Sequence, residues 1–299
     1  MEYRKLGKTD INASVLGFGG SEIGYQQASV GTVKKLLNEA LDGGLNVIDT
    51  AECYAASEEL IGEALGKRRK DLYLFTKCGH ESGWSRPDWR SESLLRSIQR
   101  SLKRLKTDYV DLVQLHSCSD TELRKGDVIE TLKRARERGY TRYVGYSGDS
   151  QAALYAVECG VFDTLQTSVN IADQEALDLF LPLARKHNLG VIAKRPVANV
   201  AWQNGTRPPK DGYGRPYWER LQKLQYEFLQ GELKETVAAA LRFTLSVPGV
   251  HTAIVGTSKP GRFAHNAAAI AAGPLPGDLF DSVRVRWREI ARPDWTGQT

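Results

Sequence analysis

The chain has 299 residues, of which 41% are apolar and 26% are charged, and this profile excludes a disordered chain. Its 41 basic and 36 acidic residues leave a net charge of +5, without the long basic face that nucleic-acid binding requires. No apolar run is long enough to span a membrane, and the charged amino terminus does not resemble a signal peptide. We therefore expect a cytoplasmic protein without nucleic-acid or membrane partners.

The cysteines do not indicate a metal or redox motif. Cys53, Cys78, Cys118 and Cys159 include no C-x-x-C pair, so zinc-ribbon and thioredoxin-type spacings are both absent. We predict no metal site from them. No linker or low-complexity segment divides the sequence, which indicates a single domain over residues 1–299.

The predicted elements alternate between strands and helices. Residues 3–6 and 13–16 flank a turn and predict a β-hairpin. Apolar runs then predict eight strands, at residues 15–21, 45–48, 72–77, 109–116, 141–147, 162–167, 189–193 and 252–255. Amphipathic or capped segments predict the helices, at residues 32–41, 57–65, 91–105, 127–138, 151–158, 174–186, 236–245, 262–271 and 278–290. A long polar insertion at 198–217 interrupts this alternation.

Eight strand–helix repeats of about 30 residues are typical of a parallel α/β barrel. The predicted fold is therefore an α/β protein of the (β/α)8 TIM-barrel type, with an N-terminal β-hairpin and an extra C-terminal helix. A doubly wound sheet is the alternative, but the chain has no G-x-G-x-x-G segment.

Four ionisable residues fall at or just after the carboxyl ends of successive predicted strands: Asp49, Tyr54, Lys77 and His116. In a closed barrel these ends point toward one mouth, where such folds carry out their chemistry. A free tyrosine has a pKa of about 10, which a nearby ammonium lowers, and an imidazole can polarise a carbonyl. Together they could protonate a carbonyl oxygen while a hydride reaches its carbon. Alternatively, Lys77 and Asp49 form a structural salt bridge and His116 is a satisfied strand-end histidine.

Several short motifs occur in a characteristic order and spacing. They are Tyr3-Arg-Lys-Leu-Gly-Lys-Thr-Asp, Gly17-Phe-Gly-Gly, Asp49-Thr-Ala-Glu-Cys-Tyr with Ser57-Glu and Ile61-Gly, Phe75-Thr-Lys, Asp108-Tyr-Val-Asp-Leu-Val-Gln-Leu-His116, Gly145-Tyr-Ser147, and Gly256-Thr-Ser-Lys with Arg262 and Asn266. In these motifs the chain resembles an aldo-keto reductase over essentially its whole length. The resemblance implies a (β/α)8 barrel that reduces an aldehyde or ketone by hydride transfer from NADPH, without a metal.

The resemblance also implies residue roles. Tyr54 would be the proton donor, Lys77 would modulate its pKa, and Asp49 would hold Lys77. His116 would orient a small-molecule carbonyl substrate. The implied contacts to NADP(H) are Gly20, Ser21, Asp49, Ser147, Gln166, Lys194, Arg195, Pro196, Gly256, Thr257, Ser258, Lys259, Arg262 and Asn266. Arg262 suits the 2′-phosphate because a guanidinium forks onto phosphate oxygens, and backbone N–H groups of a helix start would add to that site.

Two positions depart from the family pattern. Gly148 stands where an asparagine is usual, and Lys194 stands where a tyrosine usually stacks on the nicotinamide. A cation is a poor platform for the ring. Arg195 or Trp202 could cover the ring instead, or Lys194 could reach the phosphates.

Other functions stay open at this point. The same fold could serve a sugar or polyol dehydrogenase, or a regulatory subunit that binds cofactor with little turnover. A metal-dependent hydrolase would use Glu52, His80, His116 and Cys118, which form no known ligand motif. Aromatic residues in the loops at 80–89 and 201–217 predict a pocket for an apolar or aromatic carbonyl. The physiological substrate, the reaction direction and the oligomeric state are left undetermined.

Overall fold

The computed structural model describes residues 1–210 and 212–298. Asp211, in the predicted insertion, and Thr299, at the end of the predicted domain, lie outside the described residues. The described strands are β1 Tyr3–Lys5, β2 Asn12–Ser14, β3 Leu16–Gly19, β4 Val47–Asp49, β5 Tyr73–Cys78, β6 Val110–His116, β7 Thr141–Ser147, β8 Thr164–Ser168, β9 Gly190–Lys194 and β10 Val250–Gly256.

The helices lie between and after these strands. They are α1 Ser21–Tyr25, α2 Val30–Asp42, α3 Ser57–Leu65, α4 Ser91–Arg104, α5 Asp120–Lys125, α6 Asp127–Glu137, α7 Ser150–Glu158, α8 Glu175–Leu179, α9 Leu181–Lys186, α10 Arg215–Leu224, α11 Leu233–Ser246, α12 Arg262–Ala271 and α13 Gly277–Ile290. Short 3₁₀ segments cover Gly66–Asp71, Ala198–Asn204 and Glu227–Gln230.

Strands β3 to β10 pair in parallel and close into a barrel, because β10 pairs with both β9 and β3. With β1 and β2 forming an antiparallel hairpin and α13 following the last repeat, the predicted fold is confirmed. Since helices cover the outside, apolar residues on both faces of the strands are buried.

The structure differs from the prediction in four helical regions. The predicted helix at 174–186 is two helices, α8 and α9, which meet at Phe180. Pro182 opens α9, and a proline there cannot continue an incoming helix because it lacks a backbone N–H. The polar insertion ends in the helix α10, which the sequence analysis did not predict because the segment is polar. The short helices α1 and α5 were not predicted either.

The hairpin fills the amino-terminal end of the barrel. Leu6, Ile11 and Ala13 pack against inward-facing side chains that include Val47 and Phe75. The hairpin turn approaches β9 so closely that a Cβ added to Gly7, whose φ is +56°, would lie 2.3 Å from the backbone nitrogen of Gly190. The interior therefore opens only at the carboxyl ends of the strands.

Alternation along each strand places the polar residues at that open end. Val47 faces the interior and so does Asp49, two residues further along β4. On β5, Lys77 follows Phe75 in the same way. The fold thus aims a carboxylate and an ammonium into the mouth from neighbouring strands.

Candidate active site

Lys77 and Asp49 form an ion pair inside the mouth. The Lys77 Nζ lies 2.5 Å from Oδ2 of Asp49 and donates to the carbonyl oxygen of Thr50 at 2.9 Å. Both residues are almost fully buried, at 1% and 3% exposed. The other oxygen of Asp49 accepts hydrogen bonds from the side-chain amides of Gln166, at 3.0 Å, and Gln114, at 3.4 Å. The carboxylate therefore holds the ammonium in a fixed position.

Tyr54 lies beside this pair, in the loop between β4 and α3. Its ring centroid is 5.1 Å from the Lys77 Nζ and 5.6 Å from the ring centroid of His116, which meets it edge to face. Loss of solvation, followed by the negative charge of Asp49, raises the pKa of Tyr54 well above its ordinary value. Tyr54 is therefore a protonated phenol that can donate a proton.

The expected lowering of the Tyr54 pKa by Lys77 is not observed. Asp49 lies 2.5 Å from the Lys77 Nζ, and its negative charge opposes part of the stabilisation that the ammonium gives to a phenolate. The pKa of Tyr54 is therefore governed by desolvation. The hydroxyl of Tyr54 is therefore protonated at neutral pH.

His116 ends β6 and lies beside the ring of Tyr54. Burial, followed by the charge of Lys77, lowers the pKa of His116 well below its ordinary value. The imidazole is therefore neutral, with one nitrogen that donates and one that accepts. Its Nδ1 lies 3.5 Å from the Sγ of Cys53, a thiol whose pKa burial raises to about 12.

His80 supports the position of His116, although the sequence analysis named it only as a ligand of the metal alternative and as the start of the pocket loop at 80–89. Its Nε2 lies 2.7 Å from the carbonyl oxygen of His116, and its Nδ1 lies 3.1 Å from the carbonyl oxygen of Trp84. The rings of His80 and Trp84 stack at 4.4 Å, and Trp84 in turn meets His116 at 5.0 Å. The loop after β5 thus forms an aromatic wall beside the imidazole.

The residues of the metal alternative serve other contacts. One oxygen of Glu52 accepts from the backbone N–H of His80 at 2.6 Å, and the other accepts from Ser97 and from Arg100 at 3.0 Å. Within residues 1–210 and 212–298, no group of three or more His, Cys, Asp or Glu is arranged to hold a metal. The geometry gives the hydrolase reading no ligand set.

Ser147 and Gln166 lie together at the ends of β7 and β8. The hydroxyl of Ser147 donates to Oε1 of Gln166 at 3.1 Å. Gly148 is glycine for a steric reason: an added Cβ would lie 2.4 Å from the hydroxyl of Tyr146, which donates to the carbonyl oxygen of Cys118. The hydroxyl of Ser147 and the side-chain amide of Gln166 are groups that can form hydrogen bonds with a carboxamide. Gly148 has no side chain that could add a third contact.

Lys194 is held by Asp149, which the sequence did not single out. The Lys194 Nζ lies 2.8 Å from Oδ2 of Asp149, whose other oxygen accepts from Thr167 and from the backbone of Ser168. Burial lowers the pKa of Lys194 to about 8. Pro196 accepts a hydrogen bond from Thr244 through its carbonyl oxygen at 2.8 Å.

The segment after β10 has the charges expected of a phosphate site. Lys259 and Arg262 are exposed, and no described side chain pairs with either. Arg262 opens α12 as predicted. However, the backbone N–H of Gly261 already donates to Oε2 of Glu39 at 2.9 Å, so that donor is not free for an anion. The two side-chain cations fit a phosphate group, whereas the predicted backbone contribution is reduced.

The other predicted contacts lie on β10, after β10 or after the neighbouring strand β3. We call this group of residues the nucleotide trough. The Ser258 hydroxyl donates to Oε1 of Gln26 at 2.5 Å, and the Thr257 hydroxyl accepts from the backbone of Lys259 at 3.0 Å. Asn266 is buried on α12. Gly20 and Gly256 leave no room for side chains, because an added Cβ would meet the Ser57 hydroxyl and the Glu22 carboxyl group, respectively.

A cavity of about 550 Å³ lies in the insertion after β9. The described residues around it include Asn199, Arg207, Lys210 and Tyr213, and none of them is a carboxylate. It contains none of Asp49, Tyr54, Lys77 and His116. In the described part of the chain, no helix is both long and apolar enough to cross a membrane.

Comparison with known proteins agrees with this geometry. Residues 15–285 match the model of the aldo/keto reductase family, and the chain belongs to that family. It is 29% identical to an uncharacterized oxidoreductase, YqkF, of Bacillus subtilis (strain 168), with 97% of each chain covered. It is also 29% identical to L-galactose dehydrogenase of Arabidopsis thaliana, with 90% of this chain and 88% of that protein covered.

A solved structure shares the whole fold. The holo form of the aldo-keto reductase AKR11C1 from Bacillus halodurans superposes with a TM-score of 0.85, at 26% identity and with 99% of each chain covered. The chain is therefore an oxidoreductase that uses a nicotinamide cofactor and acts on small-molecule carbonyl compounds.

Proposed function

We propose that this protein reduces an aldehyde or ketone to the alcohol with NADPH, and that Tyr54 donates the proton. The observation that carries the proposal is the convergence of Tyr54, Lys77 and His116 at one mouth, with Asp49 holding the lysine. The raised pKa of Tyr54 keeps its hydroxyl protonated at neutral pH.

Each residue contributes a distinct step. A nicotinamide held by Ser147 and Gln166 would supply the hydride that reaches the carbonyl carbon. The Tyr54 hydroxyl donates its proton to the carbonyl oxygen, and the Lys77 ammonium stabilises the phenolate that this leaves behind. The neutral imidazole of His116 can donate a hydrogen bond to the same oxygen and orient the carbonyl. Asp49 keeps Lys77 charged and in place.

The residues for the cofactor fall into two groups. Ser147 and Gln166 would hold the nicotinamide carboxamide, with Lys194 and Pro196 at the adjoining strand end. The nucleotide trough toward the adenosine would be lined by Gly20, Ser21, Gly256, Thr257, Ser258 and Asn266. Lys259 and Arg262 support a preference for NADPH over NADH, because both are exposed cations without a described side-chain partner where the 2′-phosphate would lie.

A sugar or polyol dehydrogenase is the second candidate. The similarity to L-galactose dehydrogenase favours it, and the same four residues would then work in reverse. Oxidation starts from a Tyr54 phenolate and reduction leaves the same phenolate, so the raised pKa of Tyr54 does not distinguish the two directions. The match to the aldo/keto reductase family supports reduction as the proposed direction. The presence of all four residues also argues against a regulatory subunit with little turnover.

The test combines binding and turnover. Fluorescence titrations with NADPH and NADH would give the affinities, and a panel of aldehydes, ketones and sugar alcohols would give the rates. We expect tighter binding of NADPH and a loss of turnover of about 100-fold or more in Tyr54→Phe, with cofactor affinity unchanged. Tyr25→Phe is the matched control, because its ring is 6.0 Å from that of Tyr54 but has no proposed chemical role. Binding without turnover on any compound would instead support the regulatory reading.

A further inference from the structure

Cys53 lies against the imidazole of His116. Its Sγ is 3.5 Å from Nδ1 of that ring. The preceding residue, Glu52, donates from its backbone N–H to the carbonyl oxygen of Lys77 at 3.3 Å, which ties this loop to β5. The loop that presents Tyr54 therefore also holds a thiol against the imidazole.

The two ring nitrogens of His116 have different surroundings. Nδ1 contacts the thiol, whereas no group of residues 1–210 and 212–298 forms a hydrogen bond with Nε2. Burial is the largest cause of the lowered pKa of this imidazole, and four nearby groups add to it: Lys77, His80, Lys194 and Arg195. A neutral imidazole carries a single proton, so the place of that proton decides whether Nε2 donates or accepts.

The chemistry of the two groups determines which of them donates. Burial raises the pKa of Cys53 to about 12, so the sulfur keeps its proton at neutral pH. A thiol sulfur is a weak acceptor, whereas the lone pair of an imidazole nitrogen is a good one. The S–H group of Cys53 therefore donates to Nδ1 of His116, and the ring proton is left on Nε2.

We propose that Cys53 is a positioning residue that holds His116 in the tautomer with its proton on Nε2. In this tautomer the nitrogen without a protein partner is a donor, as a carbonyl oxygen requires. In the other tautomer the same nitrogen would present a lone pair and repel that oxygen. The tautomer follows from the contact between thiol and imidazole alone, whereas its use in catalysis rests on the proposed carbonyl reduction.

The experiment compares wild type with Cys53→Ala, which removes the donor, and Cys53→Ser, which replaces it with a hydroxyl. Cys159→Ala is the matched control, because that thiol donates to the carbonyl oxygen of Ala156 just after α7. The first measurement is the NMR shift of each ring nitrogen of His116 in the full chain without cofactor. The His116→Gln variant identifies these signals by their loss, and thermal denaturation tests whether each variant is folded.

The NMR shifts decide the tautomer. We expect a protonated Nε2 and an unprotonated Nδ1 in wild type, in Cys53→Ser and in Cys159→Ala. Cys53→Ala should show a larger share of the form with the proton on Nδ1. A wild type with its ring proton on Nδ1 would overturn the proposal, and so would a folded Cys53→Ala variant with the wild-type pattern.

Turnover on a panel of aldehydes and ketones measures the catalytic use of the tautomer. Cys53→Ala should lower kcat/KM by about five- to tenfold, and Cys53→Ser should restore most of it. The affinity for NADPH should stay unchanged, because His116 lies outside the nucleotide trough. Equal losses in Cys53→Ala and Cys53→Ser would assign the effect to packing and contradict the positioning role. A wild type that reduces no compound would contradict the proposed function, while the NMR shifts would still decide the tautomer.

Discussion

The Nε2 of His80 lies 2.7 Å from the carbonyl oxygen of His116, although the two residues belong to different strand ends. A carbonyl oxygen only accepts, so His80 is the donor in this hydrogen bond. The same ring stacks on Trp84 and lies 5.4 Å from the ring of His116. His80 therefore joins the loop after β5 to the end of β6 and fixes one wall of the candidate site.

We predict that His80→Asn lowers kcat by about tenfold and raises KM, with NADPH affinity unchanged. The reason is that His116 and Trp84 lose their common support while the nucleotide trough is untouched. His187→Asn is the matched control, because His187 makes a similar contact to the carbonyl oxygen of Val157 far from the mouth. Steady-state kinetics and fluorescence titration measure both effects. An equal loss in the two variants would contradict a positioning role.

The buried ion pair gives a second prediction. Asp49→Asn should lower the free energy of unfolding by about 3–5 kcal/mol, because it leaves the Lys77 ammonium buried without its carboxylate. The double variant Asp49→Asn with Lys77→Met should be more stable than the single one. Urea denaturation without cofactor measures both. Arg124→Ala, which breaks an exposed pair with Asp120, should destabilise the protein far less than Asp49→Asn, because solvent screens the exposed pair. A double variant no more stable than Asp49→Asn would refute this explanation.

A third prediction concerns the charge of Lys194. Below its pKa of about 8 the side chain is an ammonium, which repels the positive nicotinamide ring of NADP⁺ but not the neutral ring of NADPH. As the pH rises through about 8, the ammonium loses its proton and the repulsion disappears. The affinity for NADP⁺ relative to NADPH should then increase by up to about tenfold, since Asp149 already offsets part of the charge.

Titrations with both nucleotides well below and well above this pKa measure the ratio. The ratio is informative because titration of the 2′-phosphate affects both forms alike. Lys194→Met should remove the pH step and raise the affinity for NADP⁺ at neutral pH. A pH step that persists in Lys194→Met would assign the effect to another group.

The turn of the hairpin gives a fourth prediction. Gly7→Ala should destabilise the protein by about 2–4 kcal/mol, because alanine is strained at a φ of +56° and its Cβ would collide with the backbone of β9. Gly66→Ala is the control: its φ is +50°, but an added Cβ would meet nothing within 4 Å. Thermal or urea denaturation should show the smaller loss for Gly66→Ala. Equal losses would mean that the contact with β9 contributes nothing.

The sequence predicted the barrel because each strand and helix carries its own local signal. Alternation along β4 and β5 places Asp49 and Lys77 on the inner face, so their meeting follows from the fold. The helix starts at Ser57 and Arg262 were also correct, although neither helix has a side-chain cap.

Contacts between distant segments could not be predicted in this way. Asp149 and Lys194 lie at the ends of strands that are not adjacent, and nothing near either residue announces the other. Glu39 reaches Gly261 across 222 positions and takes a donor that local reasoning left free. The direction of the Tyr54 pKa likewise depends on burial, which only the folded chain determines.

The hairpin across the base of the barrel also constrains the kinetics. With Leu6 and Ile11 filling that end, the cofactor and the carbonyl compound share one entrance. A nicotinamide seated against Ser147 and Gln166 would lie deeper than the substrate above it. The nucleotide would then have to arrive first and depart last. Steady-state kinetics should accordingly show a compulsory order, with the oxidised nucleotide as the last product to leave.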